Sequence, residues 1–282
     1  MTVTRRTFVS TLAAGTGLLA APGLLRAQAR TIRFATEGAF PPFNQTAPSG
    51  AITGFEPELV QALSERQGFE FELIAQAWDG MIQGLIDGKY DAVVDAISVT
   101  PARQEVIDFS LPYTTGGSAF VTVNETGLTL PETGIKVDLA DEAGAKPAID
   151  AVAAALKGKT VAVQVSTIQS GFLDTYLAPQ GVTVRAYQTG PEAYQDLLNG
   201  RADAVMASVT NLSAFLKKNE GKVAISGPTF GGGLMGNGAA IAIAKGSDLA
   251  AMFNEGLKAM SDDGSLSDLS AKWFGIDVTP KL

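Results

Sequence analysis

The sequence predicts an α/β protein made of two similar lobes, and three observations support this prediction. Residues 30–97 alternate strand and helix patterns in the order β-α-β-α-β, which is typical of a mostly parallel sheet with helices on its faces. The same order returns over residues 160–207. The segment LIDGKYDAVV at 85–94 also aligns with LLNGRADAVM at 197–206 at a constant offset of 112 residues. Helix-turn-strand units often look alike, but the matching flanks favour a shared architecture.

Residue periodicity assigns the elements of the first lobe. Residues 32–36 form a predicted strand, and 57–66 a helix whose apolar residues lie on one face. Apolar residues alternate along 69–73, as in a half-buried strand. They recur at helical spacing along 81–86 before a glycine ends that helix, and 91–97 is a predicted buried strand.

The second lobe and the end of the chain follow the same logic. Predicted strands cover 161–165, 182–186 and 203–207, with helices at 169–176 and 192–198. The polar stretch 126–159 is interpreted as an elaboration of the second lobe that contains a short helix at 148–156. A strand at 239–244 and helices at 249–260 and 266–273 complete the prediction.

The N-terminus has the order of a secretory signal. The pair Arg5-Arg6 precedes an apolar run at 12–21, and Ala27-Gln28-Ala29 supplies the small residues of a cleavage site. The run is too short for a membrane anchor, which needs about 20 apolar residues. We expect residues 1–29 to be removed after Ala29 and the protein to act in the periplasm. The twin arginine indicates the twin-arginine route, and the general export route is the alternative.

Composition excludes several function classes. The chain has no cysteine and no histidine, so a cysteine nucleophile, a histidine base and a histidine-ligated metal are all excluded. Without residues 1–29 the chain keeps 18 basic and 29 acidic residues, a net charge of −11. This excess of acid argues against nucleic acid as a partner. The glycines at 231, 233 and 236 follow no strand-to-helix turn, so we interpret them as a loop and expect no nucleotide or other cofactor.

Polar residues gather where equivalent strands of the two lobes end. The first lobe places Glu37, Ser98 and Arg103 after its strands, and the second places Ser166 and Ser208 there. Ligands of open α/β sheets bind beyond the carboxyl ends of the strands, often between domains. Each residue also has a structural interpretation, as a solvated cation, a turn or a helix cap. Asp95 is more informative, because a carboxylate in an apolar strand is costly to bury unpaired.

The chain resembles the periplasmic polar-amino-acid and opine-binding proteins of ABC importers, solute-binding protein family 3. The matching strings are ATEGAFPPFN at 35–44, ITGFE at 52–56, WDGMI at 78–82, SVTPAR at 98–103, DFSLPY at 108–113, LKGKTV at 156–161 and KWFG at 272–275. Together with the repeated segments they span nearly all of the chain after residue 29. The lysine/arginine/ornithine/histidine binders and the nopaline/octopine binders are the branches that it resembles most.

This resemblance implies a type II periplasmic-binding-protein fold, in which each lobe is a mixed sheet flanked by helices. Two crossing strands near 116–122 and 229–237 would join the lobes and act as a hinge. The first lobe is then residues 30–117 plus 236–282, and the second is residues 118–235. The implied partners are a small amino acid or derivative, an ABC permease and, indirectly, its ATPase. The family expectation is a monomer.

The resemblance also implies roles for single residues. Arg103 would hold the ligand α-carboxylate through paired hydrogen bonds, with help from backbone N–H groups near Ser98 and Ile168. The Ser98 hydroxyl, the Ala96 carbonyl and a carboxylate would hold the α-ammonium. The remaining implied contacts are Phe40 and Trp78, which would sandwich the ligand side chain, Glu37, which would meet its far end, and the strand-end residues Ser166 and Ser208.

One departure from the family pattern leaves the ligand open. Many amino-acid binders of this family carry Asp at the position of Ser208, where it pairs with the α-ammonium. Asp95 would replace that charge if the ligand is an ordinary cationic amino acid. The alternative is an opine or another N-substituted amino acid, whose substituted amine does not need the second Asp.

Two other function classes stand beside binding. This fold also hosts a cyclohexadienyl-dehydratase type of enzyme, for which Glu37 or Asp95 would have to act as acid or base. A sensor ectodomain would present the same cleft, but the sequence after residue 29 has no membrane segment. We therefore expect a binding protein and not an enzyme, with no catalytic residue and no bound metal.

Overall fold

A computed structural model describes residues 30–282, and the predicted signal at 1–29 lies outside these residues. The first sheet has the strand order β5-β1-β6-β14-β7. Its strands are β1 (Thr31–Thr36), β5 (Glu70–Ala75), β6 (Ala92–Val93), β7 (Ile107–Thr114) and β14 (Ala239–Ala244), and its helices are α1 (Phe55–Gln67), α2 (Met81–Ile86), α3 (Pro101–Val106), α8 (Leu249–Asp262) and α9 (Ser265–Phe274). The short strands β2 (Ala39–Phe40), β3 (Asn44–Thr46) and β4 (Ile52–Thr53) form a small separate sheet.

The second sheet has the order β11-β10-β12-β8-β13-β9. Its strands are β8 (Ser118–Val123), β9 (Lys136–Asp138), β10 (Thr160–Gln164), β11 (Thr183–Tyr187), β12 (Ala204–Ser208) and β13 (Val223–Gly231), and its helices are α4 (Glu142–Leu156), α5 (Ile168–Phe172), α6 (Gly190–Leu198) and α7 (Val209–Lys218). A π-helical turn, Leu173–Leu177, continues α5, and short 3₁₀ turns cover Asn124–Thr126, Ala178–Gln180 and Gly233–Met235.

Both sheets contain parallel and antiparallel pairs, and the antiparallel pairs involve the strands next to the two crossings between the sheets. The β-α-β-α-β units are parallel as predicted, because β1 pairs parallel with β5 and β6, and β10 pairs parallel with β11 and β12. The strands β7, β8, β13 and β14 add antiparallel pairs. The chain passes from the first sheet to the second through residues 115–117 and returns through 232–238.

The internal repeat has a direct structural cause. Asp91 and Arg33 exchange two hydrogen bonds, from Asp91 N to Arg33 O and from Arg33 N to Asp91 Oδ2, both at 2.9 Å. Asp203 and Thr160 exchange the same two bonds at 2.8 Å in the other lobe. In each lobe this aspartate therefore ties the start of one central strand to its neighbour. The repeat is conserved geometry within the chain and not a chance likeness of sequence.

Apolar residues cover both faces of each sheet, so each lobe has its own core. In the first lobe, Phe34 and Phe253 pack on one face, with ring centroids 5.6 Å apart, and Met81 and Leu85 lie on the other. In the second lobe, α4 and α5 cover one face, and α6 and α7 cover the other. Burial of this kind stabilises each lobe by roughly 25 cal/mol per Å² of apolar surface removed from water.

Three predicted elements differ from the structure. The strand predicted at 91–97 ends after Val93, because Ala96 has a left-handed φ of 48° and its N–H leaves the sheet. The helix predicted at 148–156 begins at Glu142, because the Asp141 side chain caps it by accepting from Gly144 N at 3.0 Å. Pro147 lies inside this helix. The helix predicted at 169–176 becomes a π-helical turn after Phe172.

Among residues 30–282, every helix is too short or too polar to cross a bilayer.

We predict that Asp91→Ala and Asp203→Ala each lower the free energy of unfolding by about 1–2 kcal/mol, because each change leaves a backbone N–H without its carboxylate acceptor. Urea denaturation followed by circular dichroism measures this loss. Asp174→Ala is the control, since Asp174 is exposed and outside the repeat. Similar stability for all three variants would contradict the shared role of the two aspartates.

Candidate functional site

A cavity lies between the two sheets, at the ends of their central strands. Its lining residues are Glu37, Phe40, Trp78, Asp95, Ala96, Ser98 and Arg103 from the first lobe, and Gln164, Thr167, Ile168, Gln169 and Ser208 from the second. The structure thus brings nine of the ten sequence-predicted site residues to one cavity.

Ser166 is the predicted residue that does not line the cavity. It is exposed, has a left-handed φ of 58°, and donates from its hydroxyl to Asp79 Oδ1 at 2.8 Å. The structure therefore places Ser166 in a contact between the lobes. The cavity instead takes the neighbouring Thr167, together with Gln164 and Gln169, which the sequence prediction missed.

Arg103 enters the cavity from the third position of α3. Thr100 caps this helix by accepting from Arg103 N at 3.2 Å, and Pro101 is the first helical residue. The guanidinium donates from Nη1 to the carbonyl of Ser98 at 3.0 Å. Burial lowers the pKa of Arg103 to about 10, so the side chain stays charged near neutral pH. Its remaining N–H groups are available to a ligand carboxylate.

Asp95 presents a second charge to the cavity. Its Oδ1 accepts from Glu37 N at 2.9 Å and from Asn44 Nδ2 at 2.8 Å. Oδ2 accepts no hydrogen bond from residues 30–282. One oxygen is therefore fixed by the protein and the other is free for a cationic group.

Glu56 does not line the cavity, but it holds Ala96 and Asn44, the neighbours of Asp95, by hydrogen bonds. It is fully buried, and its carboxylate accepts from Ala96 N at 2.6 Å, from Asn44 Nδ2 at 2.8 Å and from the Tyr113 hydroxyl. The first of these bonds holds the left-handed bend at Ala96. Sequence analysis did not single out Glu56, because an acidic residue in the first turn of a helix is common on a protein surface.

The carboxyl groups of this region are hard to ionise together. Burial raises the pKa of Glu37 to about 7, although the hydrogen bond from Gln164 opposes the shift. Burial and repulsion from Glu56 and Glu37 raise the pKa of Asp95 well above its ordinary value. Burial also raises the pKa of Glu56. A cationic ligand would relieve this repulsion by favouring the charged forms.

Hydrogen bonds between three pairs of residues join the lobes around the cavity. Gln164 Nε2 donates to both carboxylate oxygens of Glu37, at 3.0 and 3.1 Å. Asn211 Nδ2 donates to the Pro41 carbonyl at 2.8 Å, and Ser166 and Asp79 form the third pair. The structure therefore has the lobes in contact across the cleft, with Glu37 taking part both in the contact and in the cavity lining.

A second, small space lies beyond Ser208 and shares part of its lining with the main cavity. Ser208 caps α7 by accepting from Asn211 N at 3.2 Å. Gly190, Ala193, Tyr194 and Asn211 line the far side of this space, and Phe40, Gln164 and Ser208 belong to both spaces. The described lining of the two spaces contains one cationic side chain, Arg103.

The two aromatic residues of the lining differ in their neighbours. Phe40 stacks on Phe43, with ring centroids 5.9 Å apart and an interplanar angle of 26°. Trp78 lies under the guanidinium of Arg103, whose central carbon is 5.4 Å from the ring centroid. Trp78 is therefore engaged by Arg103 in addition to facing the cavity, which the sequence prediction of a simple sandwich did not include.

A two-lobed α/β protein with a charged cleft between its lobes is the architecture of a solute receptor, and comparison with known proteins gives the family. Residues 32–276 match the bacterial extracellular solute-binding proteins, family 3. The chain belongs to this family.

Two curated relatives and one solved structure show the range of similar proteins. The octopine-binding periplasmic protein of Rhizobium meliloti is 39% identical over 93% of this chain and 96% of its own length. The L-cystine-binding protein TcyJ of Escherichia coli (strain K12) is 34% identical over 88% of this chain and 84% of its own. The structure of an ancestral arginine-binding protein bound to arginine superposes with a TM-score of 0.71 and 31% identity, covering 88% of this chain and 100% of that one.

These comparisons confirm the predicted family, the two-lobed fold and the binding class of function. The family and the similar proteins are solute-binding proteins, so the dehydratase alternative is not favoured.

We predict that the folded protein loses stability as pH rises from about 4.5 to about 7, because the Glu37 carboxyl, whose pKa is raised to about 7, keeps a proton in the fold that it loses when unfolded. Glu37→Gln should reduce this pH dependence. Melting temperatures of both proteins at pH 5 and pH 8, without ligand, measure the effect. Equal pH dependence in the two proteins would contradict the raised pKa.

Proposed function

We propose that the protein captures a cationic amino acid between its lobes outside the cytoplasm and delivers it to an ABC importer. The observation that carries this proposal is one cavity in which a single guanidinium with free N–H groups faces two carboxyl groups. A cationic amino acid carries one anionic and two cationic groups, which is the complement of Arg103, Asp95 and Glu37. The similarity to an ancestral arginine-binding protein supports the same class of ligand.

Each end of the ligand has a partner in this proposal. Arg103 holds the α-carboxylate through paired hydrogen bonds, and the first N–H groups of α5, from Ile168 and Gln169, share it because they have no acceptor within the helix. Asp95 Oδ2 holds the α-ammonium, with the Ser98 hydroxyl and the Ala96 carbonyl beside it. Glu37 meets the distal cation, and Phe40 packs against the aliphatic chain between them.

An N-substituted amino acid such as an opine is the second candidate. The space beyond Ser208 favours it, because this space adjoins the main cavity through shared lining residues such as Gln164 and Ser208. The 39% identity to an octopine-binding protein supports it as well. The charge of the lining favours the simpler ligand, since an opine adds a second carboxylate and the described lining offers one cation.

The cellular part of the proposal rests on the sequence and the relatives. The similar proteins are periplasmic, and we propose cleavage after Ala29 followed by action of a monomer in the periplasm. Residues 30–117 plus 236–282 form the first lobe and 118–235 the second, with the hinge in the two crossings. The permease and its ATPase are the proposed partners.

A thermal-shift screen tests the function directly. Ligand binding raises stability by mass action, by about 2.7 kcal/mol at a concentration 100 times Kd. We expect arginine, lysine or ornithine to raise the melting temperature, and octopine to do so if the second candidate is right. No shift with any basic amino acid or opine would overturn the proposed ligand class.

We predict that Arg103→Met abolishes binding of the ligand found in this screen, because the α-carboxylate loses its charged partner. Isothermal titration calorimetry measures the affinity, and circular dichroism checks that the fold is intact. Ser166→Ala is the control and should change Kd by less than about threefold, since Ser166 lies outside the cavity lining. Retained affinity in Arg103→Met would show that the carboxylate site is misassigned.

We predict that Asp95→Asn weakens arginine binding at least about tenfold, and that adding Ser208→Asp to this variant restores much of the loss. Ser208→Asp keeps a helix-capping side chain and places a carboxylate at the position where the family pattern implies one. Titration calorimetry of the wild-type protein and the two variants measures the rescue. If Asp95→Asn leaves arginine affinity unchanged, Asp95 does not serve the ammonium.

A further inference from the structure

Arg103 is held in an unusual way for a cation inside a cleft. Its guanidinium makes one side-chain hydrogen bond to residues 30–282, to the carbonyl of Ser98 at 3.0 Å. None of the ion pairs among residues 30–282 involves Arg103. The other close partner is the ring of Trp78, whose centroid lies 5.4 Å from the guanidinium carbon, within the range of a cation–π contact.

The contact between Trp78 and Arg103 positions the guanidinium without a protein carboxylate that would compete with the ligand. A carboxylate beside Arg103 would fix its position, but it would also neutralise the cation and compete with the ligand carboxylate for the same N–H groups. An aromatic face attracts the cation through its quadrupole and accepts none of the in-plane N–H groups. The guanidinium thus remains positioned, charged and free to donate within its own plane.

The Trp78 ring is held in place by its packing and by the backbone. It is 8% exposed and packs in the apolar cluster with Met81, Leu85 and Ile97. The Trp78 carbonyl accepts from Met81 N at 2.9 Å, which ties the residue to the start of α2. Trp78 and Arg103 both belong to the first lobe, so their contact does not depend on whether the cleft is closed.

We propose that Trp78 is a positioning residue for Arg103, which sets the affinity of the site for carboxylate-bearing ligands rather than only walling the ligand side chain. This inference rests on the proposed function, because it assigns the carboxylate to Arg103. It separates the roles of the two aromatic residues of the lining, since Phe40 stacks on Phe43 and Trp78 lies under the guanidinium of Arg103.

The test compares L-arginine with L-argininamide, in which a neutral amide replaces the carboxylate and keeps a carbonyl acceptor. The measured quantity is the ratio of their dissociation constants, obtained by titration calorimetry. We expect Trp78→Leu to weaken arginine binding about 10- to 30-fold and argininamide binding less than about threefold, since the lost contact positions a charge-assisted pair. The preference for arginine then falls by about tenfold. Trp78→Phe keeps an aromatic face and should keep most of the preference.

Phe40→Leu is the matched control, because it removes the other aromatic wall without touching Arg103. It should weaken both ligands equally and leave the ratio unchanged. If Trp78→Leu and Trp78→Phe also leave the ratio unchanged, Trp78 acts as a wall only and the inference is overturned.

A second measurement needs no ligand and so separates this inference from the proposed function. The chain has two tryptophans, and Trp273→Phe leaves Trp78 as the single emitter. We expect Arg103→Met in this background to change the emission maximum and the iodide quenching of Trp78, because the stacked guanidinium is lost. Identical spectra would overturn the inference, even if the protein binds arginine. Failure of the wild-type protein to bind arginine would reject the proposed ligand and leave the spectral result to decide.

Discussion

The cleft depends on one buried carboxylate, that of Glu56. It receives the N–H of Ala96 at 2.6 Å and so holds a non-glycine residue at a φ of 48°, a conformation that costs free energy unless its surroundings fix it. The bend takes the chain out of the sheet after Val93 and turns Asp95 and Ala96 into the cleft. The same carboxylate shares Asn44 with Asp95, so Glu56 and the cavity-lining Asp95 belong to one hydrogen-bonded unit.

The electrostatics of the cleft follow from this unit. Burial raises the pKa of the three carboxyl groups Glu37, Asp95 and Glu56, and repulsion from Glu56 and Glu37 raises the pKa of Asp95 further. Arg103 is not paired with any of them and rests on Trp78 instead. The lining therefore keeps its cationic group apart from its carboxyl groups. Complementary charges between binding partners generally give specificity more than raw affinity.

The two lobes contribute unequally to the site. The first lobe supplies the charged groups, while the second supplies amides, a hydroxyl and helix N–H groups through Gln164, Thr167 and Ile168. Asp91 and Asp203 make the same backbone hydrogen bond in the two lobes. The residues at the ends of the strands nevertheless differ between the lobes. The bond from Gln164 to Glu37 crosses the cleft. The Glu37 carboxylate therefore both lines the cavity and takes part in the contact between the lobes.

The sequence by itself predicted two lobes and most elements, because apolar periodicity is a local property of the chain. Strand-end position and the family resemblance together predicted ten site residues, of which nine line the cavity. Tertiary structure decided the rest. Gln164, Thr167 and Gln169 line the cavity only because the second lobe faces the first, and Ser166 is turned to Asp79 by its left-handed backbone. Glu56 resembles a surface acid until the bend at Ala96 places a backbone N–H against it. Hydrogen bonds and stacking between residues distant in sequence have no periodic signature, and only the packed structure shows which groups they bring together.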